Sequence, residues 1–297
     1  WAMQGRSFDA LKGIYKFNPN SKLEAVVTYN NDDNDLNDLP EKEIYSIAEA
    51  GEITKSLQII HYDYSGKNKF QFSAIAMNQV LQNPSGAHYD LLTVGINSKK
   101  YLENIGFFGS AYYQTGKNTL AQSKNAYQFS ANVDFLIHSK FNVILGTEWL
   151  SGRNFDTDSG ENKSFSPMYG TNHLHNGFMD YFYFGNSHFN SFGLNDYYLK
   201  SNLKFSPNSI LQANLHAFTS NGKLGFDTSG EKIPSYLGTE LDLVFTHKIG
   251  KSITANLGHS FMFSGKSMEY LKNVPEPKNL QTWSWIAFRI APNFKIK

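Results

Sequence analysis

Tyr127-Gln128-Phe129-Ser130-Ala131-Asn132-Val133-Asp134-Phe135-Leu136-Ile137-His138 is the stretch that decides the fold. Its odd positions are aromatic or aliphatic, and its even positions are Gln128, Ser130, Asn132, Asp134 and His138, interrupted by Leu136. Side chains of a strand alternate between two faces, so this run predicts a strand that is apolar on one side and polar on the other. Strands of soluble domains usually stop at about five or six residues. A strand of this length reaches across a bilayer at a tilt.

The same alternation recurs along the chain. Leu211, Ala213, Leu215 and Ala217 oppose Gln212, Asn214 and His216, while Leu23, Ala25, Val27 and Tyr29 oppose Lys22, Glu24, Thr28 and Asn30. Leu241, Leu243 and Phe245 oppose Glu240, Asp242 and Thr246, and Leu11, Gly13, Tyr15 and Phe17 oppose Lys12 and Lys16. Segments of this kind are expected at 8–18, 21–32, 54–65, 68–82, 88–99, 103–116, 125–138, 141–152, 190–206, 209–220, 237–249, 251–264 and 280–293, about thirteen strands in all.

The connections between them alternate in length. Short turns of turn-forming residues fall at Asn18-Pro19-Asn20-Ser21, Gly66-Lys67-Asn68, Ser139-Lys140, Ser206-Pro207-Asn208 and Gly250-Lys251. Longer polar loops at 33–53, 153–189, 221–236 and 267–279 lie between them. Short turns at one end and long loops at the other are the pattern of an outer-membrane barrel, periplasmic and extracellular respectively. The expected fold class is therefore all-β: an antiparallel transmembrane β-barrel, with 1–297 as a single barrel domain.

Composition narrows the function. Aromatics make up 15% of the chain, with 24 Phe and 17 Tyr, while only 18% is charged. Soluble domains carry about 25% charged residues. Mean hydropathy is nevertheless −0.43, so apolar residues must be dispersed among polar ones, and no run of about 18 apolar residues forms a transmembrane helix. A net charge of +1, with arginine only at Arg6, Arg153 and Arg289, argues against nucleic-acid binding, which needs clustered cations. The absence of cysteine excludes disulfides and thiolate metal sites. There is no G-x-S-x-G elbow, phosphate loop or H-E-x-x-H, so an enzyme is not expected, nor a cofactor.

Aromatics gather near strand ends: Tyr62 and Tyr64, Tyr112 and Tyr113, Trp149, Tyr197 and Tyr198, Trp283 and Trp285. They suit interfacial girdles, although strand propensity alone also enriches aromatics. Strand parity is a further signal. With a periplasmic turn at 18–21, the first and last segments both run downward, whereas bacterial single-chain barrels have an even number of strands. At least one strand is expected upstream of Trp1.

Trp1-Ala2-Met3-Gln4-Gly5-Arg6-Ser7-Phe8-Asp9-Ala10 resembles a segment of the alginate-export family that opens a long strand. Gly146-Thr147-Glu148-Trp149-Leu150-Ser151-Gly152 is similar to that family's G-x-E-x-x-S-G strand. Phe165-Ser166-Pro167-Met168-Tyr169-Gly170-Thr171-Asn172-His173 and Gly177-Phe178-Met179-Asp180 are similar to the loop that follows it, and Leu237-Gly238-Thr239-Glu240-Leu241-Asp242 to a late strand. The resemblance implies an outer-membrane porin of about eighteen strands, its N-terminal part lying before this chain, with arginines lining the pore for a polyanion. The inward faces depart from that: Lys12, Lys16, Lys200 and Lys204 are mixed with Glu24, Asp134, Glu148, Glu240 and Asp242. These nine are the expected pore-lining residues, and the four lysines make a basic ladder if their strands face one another.

The loop 153–189 is rich in aromatics, which must be buried somewhere. It is read either as a plug folded into the lumen or as a cover over the barrel mouth, with Tyr169, His173, His175 and Asp180 as candidates for a constriction. His173 and His175 share a face in an extended segment, yet without a third ligand they read as structural histidines and no metal is expected. Asp156-x-Asp158-x-Gly160 opens like a calcium loop but lacks its bidentate Glu. The acidic tip Asn31-Asp32-Asp33-Asn34-Asp35 and Asp38 reads as solvated surface charge, the alternative being a bridge to divalent cations or lipopolysaccharide.

The expectation is an outer-membrane channel passing a polar solute by diffusion, a polysaccharide or saccharide being one candidate. The alternative is a structural or accessory barrel in a larger outer-membrane complex, without conductance. A soluble β-sandwich lectin is the third reading and requires the apolar stripes to pack on one another. Expected partners are outer-membrane lipid and lipopolysaccharide, the solute, and other outer-membrane proteins.

Overall fold

The computed structural model describes residues 9–30, 53–67, 69–83, 85–168, 176–182, 191–274, 276 and 278–292. They form one 14-stranded sheet in which the long strands follow one another in chain order, each antiparallel to the next. The strands are β1 (Leu11–Asn18), β2 (Ser21–Tyr29), β3 (Ile53–Ser65), β4 (Gln71–Gln82), β5 (His88–Leu102), β6 (Ile105–Lys117), β7 (Ser123–His138), β8 (Phe141–Leu150), β9 (Glu161–Asn162), β10 (Leu194–Ser206), β11 (Ser209–Thr219), β12 (Tyr236–Ile249), β13 (Ile253–Ser264) and β14 (Leu280–Ile290). One helix, α1 (Ser267–Lys272), sits in the connection between β13 and β14. Among the described residues no helix is long and apolar enough to cross a membrane.

The expected strands are all present, and one short element joins them. β9 is a two-residue strand inside the loop 153–189, and it pairs parallel to the start of β7. The irregularity read at Leu136 is a register shift between Leu136 and His138, where β7 meets the tight turn into β8. β1 and β14 are the two edges, and the sheet does not close on itself.

Alternation places the two faces as the sequence demands. On β7, Tyr127, Phe129, Phe135 and Ile137 are exposed on one face, while Lys124, Ala126 and Gln128 are buried on the other. The exposed apolar stripe continues through Leu92, Val94 and Ile96 of β5, Leu199 and Leu203 of β10, Leu257 of β13, and Ile286 and Phe288 of β14. No described part of the chain stacks on this stripe, which removes the sandwich reading. A sheet with so much exposed apolar area fits lipid as its solvent.

The buried cluster lies on the opposite, inner face, where the long connections fold back. Phe165, Phe182, Phe192, Leu224, Ile233 and Met268 from those connections pack with Ala126, Leu150, Leu194, Phe218, Leu237 and Met262 from the wall. One aromatic expectation is corrected. Trp283 and Trp285 face inward, directly opposite Ser260 and Gly258 of β13, so they belong to no lipid-facing girdle. A methyl group at Gly258 would fall 2.1 Å from the Trp285 ring, so a glycine lets the indole approach the wall there. The adjacent pairs Tyr112/Tyr113 and Tyr197/Tyr198 split between faces, as neighbouring strand residues must. Tyr113 and Tyr197 face outward, Tyr112 and Tyr198 inward.

Candidate functional site

Register places the polar residues in rows across the inner wall. One row runs Asn132–Gly146–Tyr198–His216–Glu240–Met262–Gln281, and the next Asp134–Ile144–Lys200–Asn214–Asp242–Ser260–Trp283. A third joins Ser130, Glu148 and Asp196. All nine residues expected to line a pore fall on this face. They divide into groups with different surroundings.

On β1–β3 the charges neutralise one another in the open. Lys12 Nζ lies 2.9 Å from Glu24 Oε2, and Lys22 Nζ lies 2.7 Å from Glu24 Oε1 and 3.1 Å from Asp63 Oδ2. Lys16 is exposed, opposite Lys22. On β6–β8 the wall is mainly amide and hydroxyl. Ser110 Oγ and Ser130 Oγ are 2.7 Å apart, Gln128 Nε2 donates to Glu148 Oε1 at 3.1 Å, and Asn142 Nδ2 donates to Asp134 Oδ1 at 2.9 Å. Lys200 Nζ sits 4.5 Å from the centre of the Tyr198 ring, and Lys204 is exposed toward the short-turn end. Seven strands separate β1 from β10, so Lys12 and Lys16 share no contact with Lys200 and Lys204 along the sheet.

On β10–β13 the charges are covered. His216 Nδ1 lies 2.9 Å from both carboxylate oxygens of Asp196, and both side chains are buried. Glu240 and Asp242 are fully buried, because the loop segment 176–182 lies over them. The backbone N–H of Phe178 donates to Asp242 Oδ2 at 3.3 Å, and that of Met179 donates to Glu240 Oε1 at 2.8 Å. Ser260 Oγ donates to Asp242 Oδ1 at 2.5 Å. Gly177, at φ +83°, presses against the clasp: a methyl group there would fall 2.6 Å from the Glu240 carboxylate. Tyr181 donates its phenol to Gln281 Oε1, and Lys272 of α1 donates to the Tyr181 carbonyl. Burial, then the charge of Glu240, holds the Tyr181 phenol above its ordinary pKa of 10.0, and burial lowers that of Lys272 below 10.5.

The first half of the same loop is tied to the wall elsewhere. Buried Lys124 donates to Asn162 Oδ1 at 3.2 Å and Ser166 Oγ at 3.1 Å. Gln114 holds Ser166 through both ends of its amide, at 2.9 and 3.0 Å. Between the loop and the β3–β8 wall lies a cavity of about 1040 Å³, lined by Ser73, Asn97, Ser110, Tyr112, Gln128, Ser130, Glu148 and Asn176, among others.

Of the constriction candidates, Asp180 lies in the docked segment at φ +56°, while Tyr169, His173 and His175 lie outside the described residues. Asp158 accepts from the backbone N–H of Gly160 at 2.7 Å in a local turn. Among the described residues no group of three or more His, Cys, Asp or Glu side chains is placed to hold a metal. Asp196, His216, Asn214, Ser260 and Lys124 were not singled out from the sequence. Their inward phase was readable there, but which of them a loop would cover was not.

A continuous antiparallel wall, apolar outside and polar inside, with short turns at one end and long loops folding inward at the other, is the architecture of an outer-membrane β-barrel of the porin type. Solved porins of the OprD/Occ type share it. A double variant of OccD1 (OprD) matches with a TM-score of 0.57 and 14% sequence identity, covering 96% of this chain and 72% of that one. OccK5 (OpdH) of Pseudomonas aeruginosa matches at 0.57 and 9%, covering 97% and 71%. OpdK of the same organism, solved with vanillate, matches at 0.52 and 9%, covering 95% and 68%. No protein-family model matches the chain, and no curated protein matches it in sequence. The alginate-export resemblance thus rests on the sequence segments alone, and the likeness to the solved porins is one of fold.

Proposed function

We propose that the chain is the wall of an outer-membrane channel that passes a polar solute by diffusion, with no chemical step. The observation that carries this reading is the 1040 Å³ cavity between the amide- and hydroxyl-rich wall and the inward-folded loop, set behind an exposed apolar outer face. Uncharged donors and acceptors such as Asn97, Ser110, Gln128 and Ser130 exchange hydrogen bonds with a hydroxylated solute at little cost, which favours a saccharide. Glu240 and Asp242, expected to line the pore, are instead buried under the loop. The interspersed charges at Lys12, Lys16, Glu24, Asp134, Glu148, Lys200 and Lys204 give no single-sign ring. That favours weak ion selectivity over a path for a polyanion such as alginate. In this reading the loop 153–189, through its docked segment 176–182, narrows the lumen.

The alternative is an accessory barrel in a larger outer-membrane assembly. It is favoured by the apolar cluster of Phe165, Phe182, Phe192, Leu224 and Met268, which fills the loop end of the inner face on the β10–β13 side. Planar-bilayer recording separates the two. Discrete single-channel steps that saccharides block are expected of a channel. A folded protein that gives no steps, and purifies with stable partner proteins, would replace that reading by the second.

A further inference from the structure

The clasp at Glu240 and Asp242 has more hydrogen-bond acceptors than donors. Its donors are the N–H groups of Phe178 and Met179 and the hydroxyl of Ser260, and each is already used. The buried oxygens without a hydrogen-bond partner include Glu240 Oε2 and Asn214 Oδ1 on the wall and Asn176 Oδ1 on the docked loop. Asn214 is only 2% exposed, faces inward and stands directly opposite Asp242 in the β11–β12 register. Asn176 is also 2% exposed and immediately precedes Gly177, the residue pressed on Glu240. Among the described residues neither carboxylate forms an ion pair: His216, opposite Glu240, is engaged by Asp196, and Lys200, beside Asn214, lies over the Tyr198 ring.

Burying a carboxylate without compensation costs several kcal/mol, to order of magnitude. A proton shared between the two acids would satisfy Glu240 Oε2 but would leave the amide oxygen of Asn214 unmet. A cation seated between the two would satisfy both. We propose that Glu240, Asp242 and Asn214 hold a hard divalent cation of the calcium class, which fixes the two carboxylates that accept the backbone of segment 176–182. All the donors are oxygens, as such ions require, and the set contains no thiolate or imidazole that would favour a transition metal. The site stands whether or not the wall conducts, so its test does not use conductance.

The experiment uses the whole chain folded in detergent micelles and stripped with EDTA. Ca²⁺ is titrated by calorimetry, and hydrogen exchange is followed at the Phe178 and Met179 amides. Saturable binding is expected, together with slower exchange at those two amides. Glu240→Gln, which keeps the shape and removes the charge, should weaken binding at least about tenfold. Asn214→Ala, which removes an oxygen that makes no hydrogen bond, should also weaken binding while leaving the melting temperature in EDTA unchanged. No heat at millimolar Ca²⁺ would overturn the proposal. So would binding that both variants leave intact, which would move the ion to an exposed acidic segment. A Glu240→Gln protein as stable as the parent and indifferent to Ca²⁺, alongside an equally indifferent parent, would mean that a proton bridges the pair.

Discussion

Two stretches of the same inner wall carry similar residues in opposite circumstances. On β1–β3, Lys12, Lys22, Glu24 and Asp63 pair in a region where every residue of β1 is exposed. On β10–β13, Asp196, His216, Glu240 and Asp242 are all at most 2% exposed, and segment 176–182 lies on the last two. Both patches are built by period-two alternation in adjoining strands, but the first adjoins the free edge of the sheet at β1 and only the second lies under a loop. In water a charge pair gains little and loses little, whereas under the loop each polar group must find a partner inside the protein. The open stretch is therefore suited to meeting solute and ions, and the covered one to anchoring structure.

The largest test of that contrast is Asp196→Ala. It leaves His216 buried beside Phe218, on which the imidazole stacks with a ring separation of 5.6 Å, and without its acceptor. A buried donor left without its acceptor costs about 1–3 kcal/mol, and more where the lost partner was charged. The measurement is thermal unfolding of the micelle-solubilised barrel, read by near-ultraviolet circular dichroism. An unchanged melting temperature would show that the covered patch is as forgiving as the open one.

Gly177→Ala comes next. The residue sits at φ +83°, and its new methyl group would meet the Glu240 carboxylate at 2.6 Å, so backbone strain and a clash act together against docking. The cost of about 1–3 kcal/mol falls on the loop and not on the sheet. Chymotrypsin should then cut near Phe178 and Tyr181 while the barrel stays folded, and single-channel conductance should rise. Resistance equal to that of the parent would show that these two hydrogen bonds do not hold the segment.

The contrast also marks where the sequence stops being legible. Alternation in Tyr127–His138 and its counterparts is dictated by strand geometry, so the strands, their faces and all nine inward charges could be read from residue spacing. The contacts of segment 176–182 could not, because backbone N–H groups reaching carboxylates more than sixty positions along the chain leave no periodic trace. Trp283 and Trp285 show the second kind of failure. An aromatic at a strand end fits a lipid girdle or an inward stack equally well, and the register opposite Ser260 and Gly258 turns both indoles inward. β9 was missed because a two-residue strand has no periodicity to read.

A smaller effect is expected from pH, and it isolates the loop contact from the wall. Burial raises the Tyr181 phenol above 10.0, so folding favours its protonated form. Its contribution is fully present below about pH 10 and is lost as pH climbs through the raised value. Lys272 acts in the opposite sense: burial disfavours its charge, so its penalty eases as pH rises toward 10.5. Comparing the parent with Tyr181→Phe removes the lysine's share. Between pH 9 and about pH 11 the parent should lose amide protection at Phe178 and Met179 more steeply than the variant. Parallel profiles would mean that the Tyr181–Gln281 bond contributes nothing to docking.

The smallest effect is expected at Lys22, where the open stretch is tested directly. Lys22 bridges Glu24 and Asp63 at 2.7 and 3.1 Å, the kind of geometry that suggests strength. Its side chain is nevertheless 40% exposed, and at about 0.15 M salt the screening length is about 8 Å, so solvent and counterions replace much of what the pair provides. Lys22→Ala should leave the melting temperature unchanged within error. What it alters is the local field: Glu24 keeps Lys12 as a partner, whereas Asp63 loses its lysine and faces the wet interior with more of its charge unopposed. Reversal potentials under a salt gradient should shift toward cation preference at low ionic strength and converge on the parent's at high salt. A melting shift as large as that of Asp196→Ala would erase the distinction between the covered and open walls.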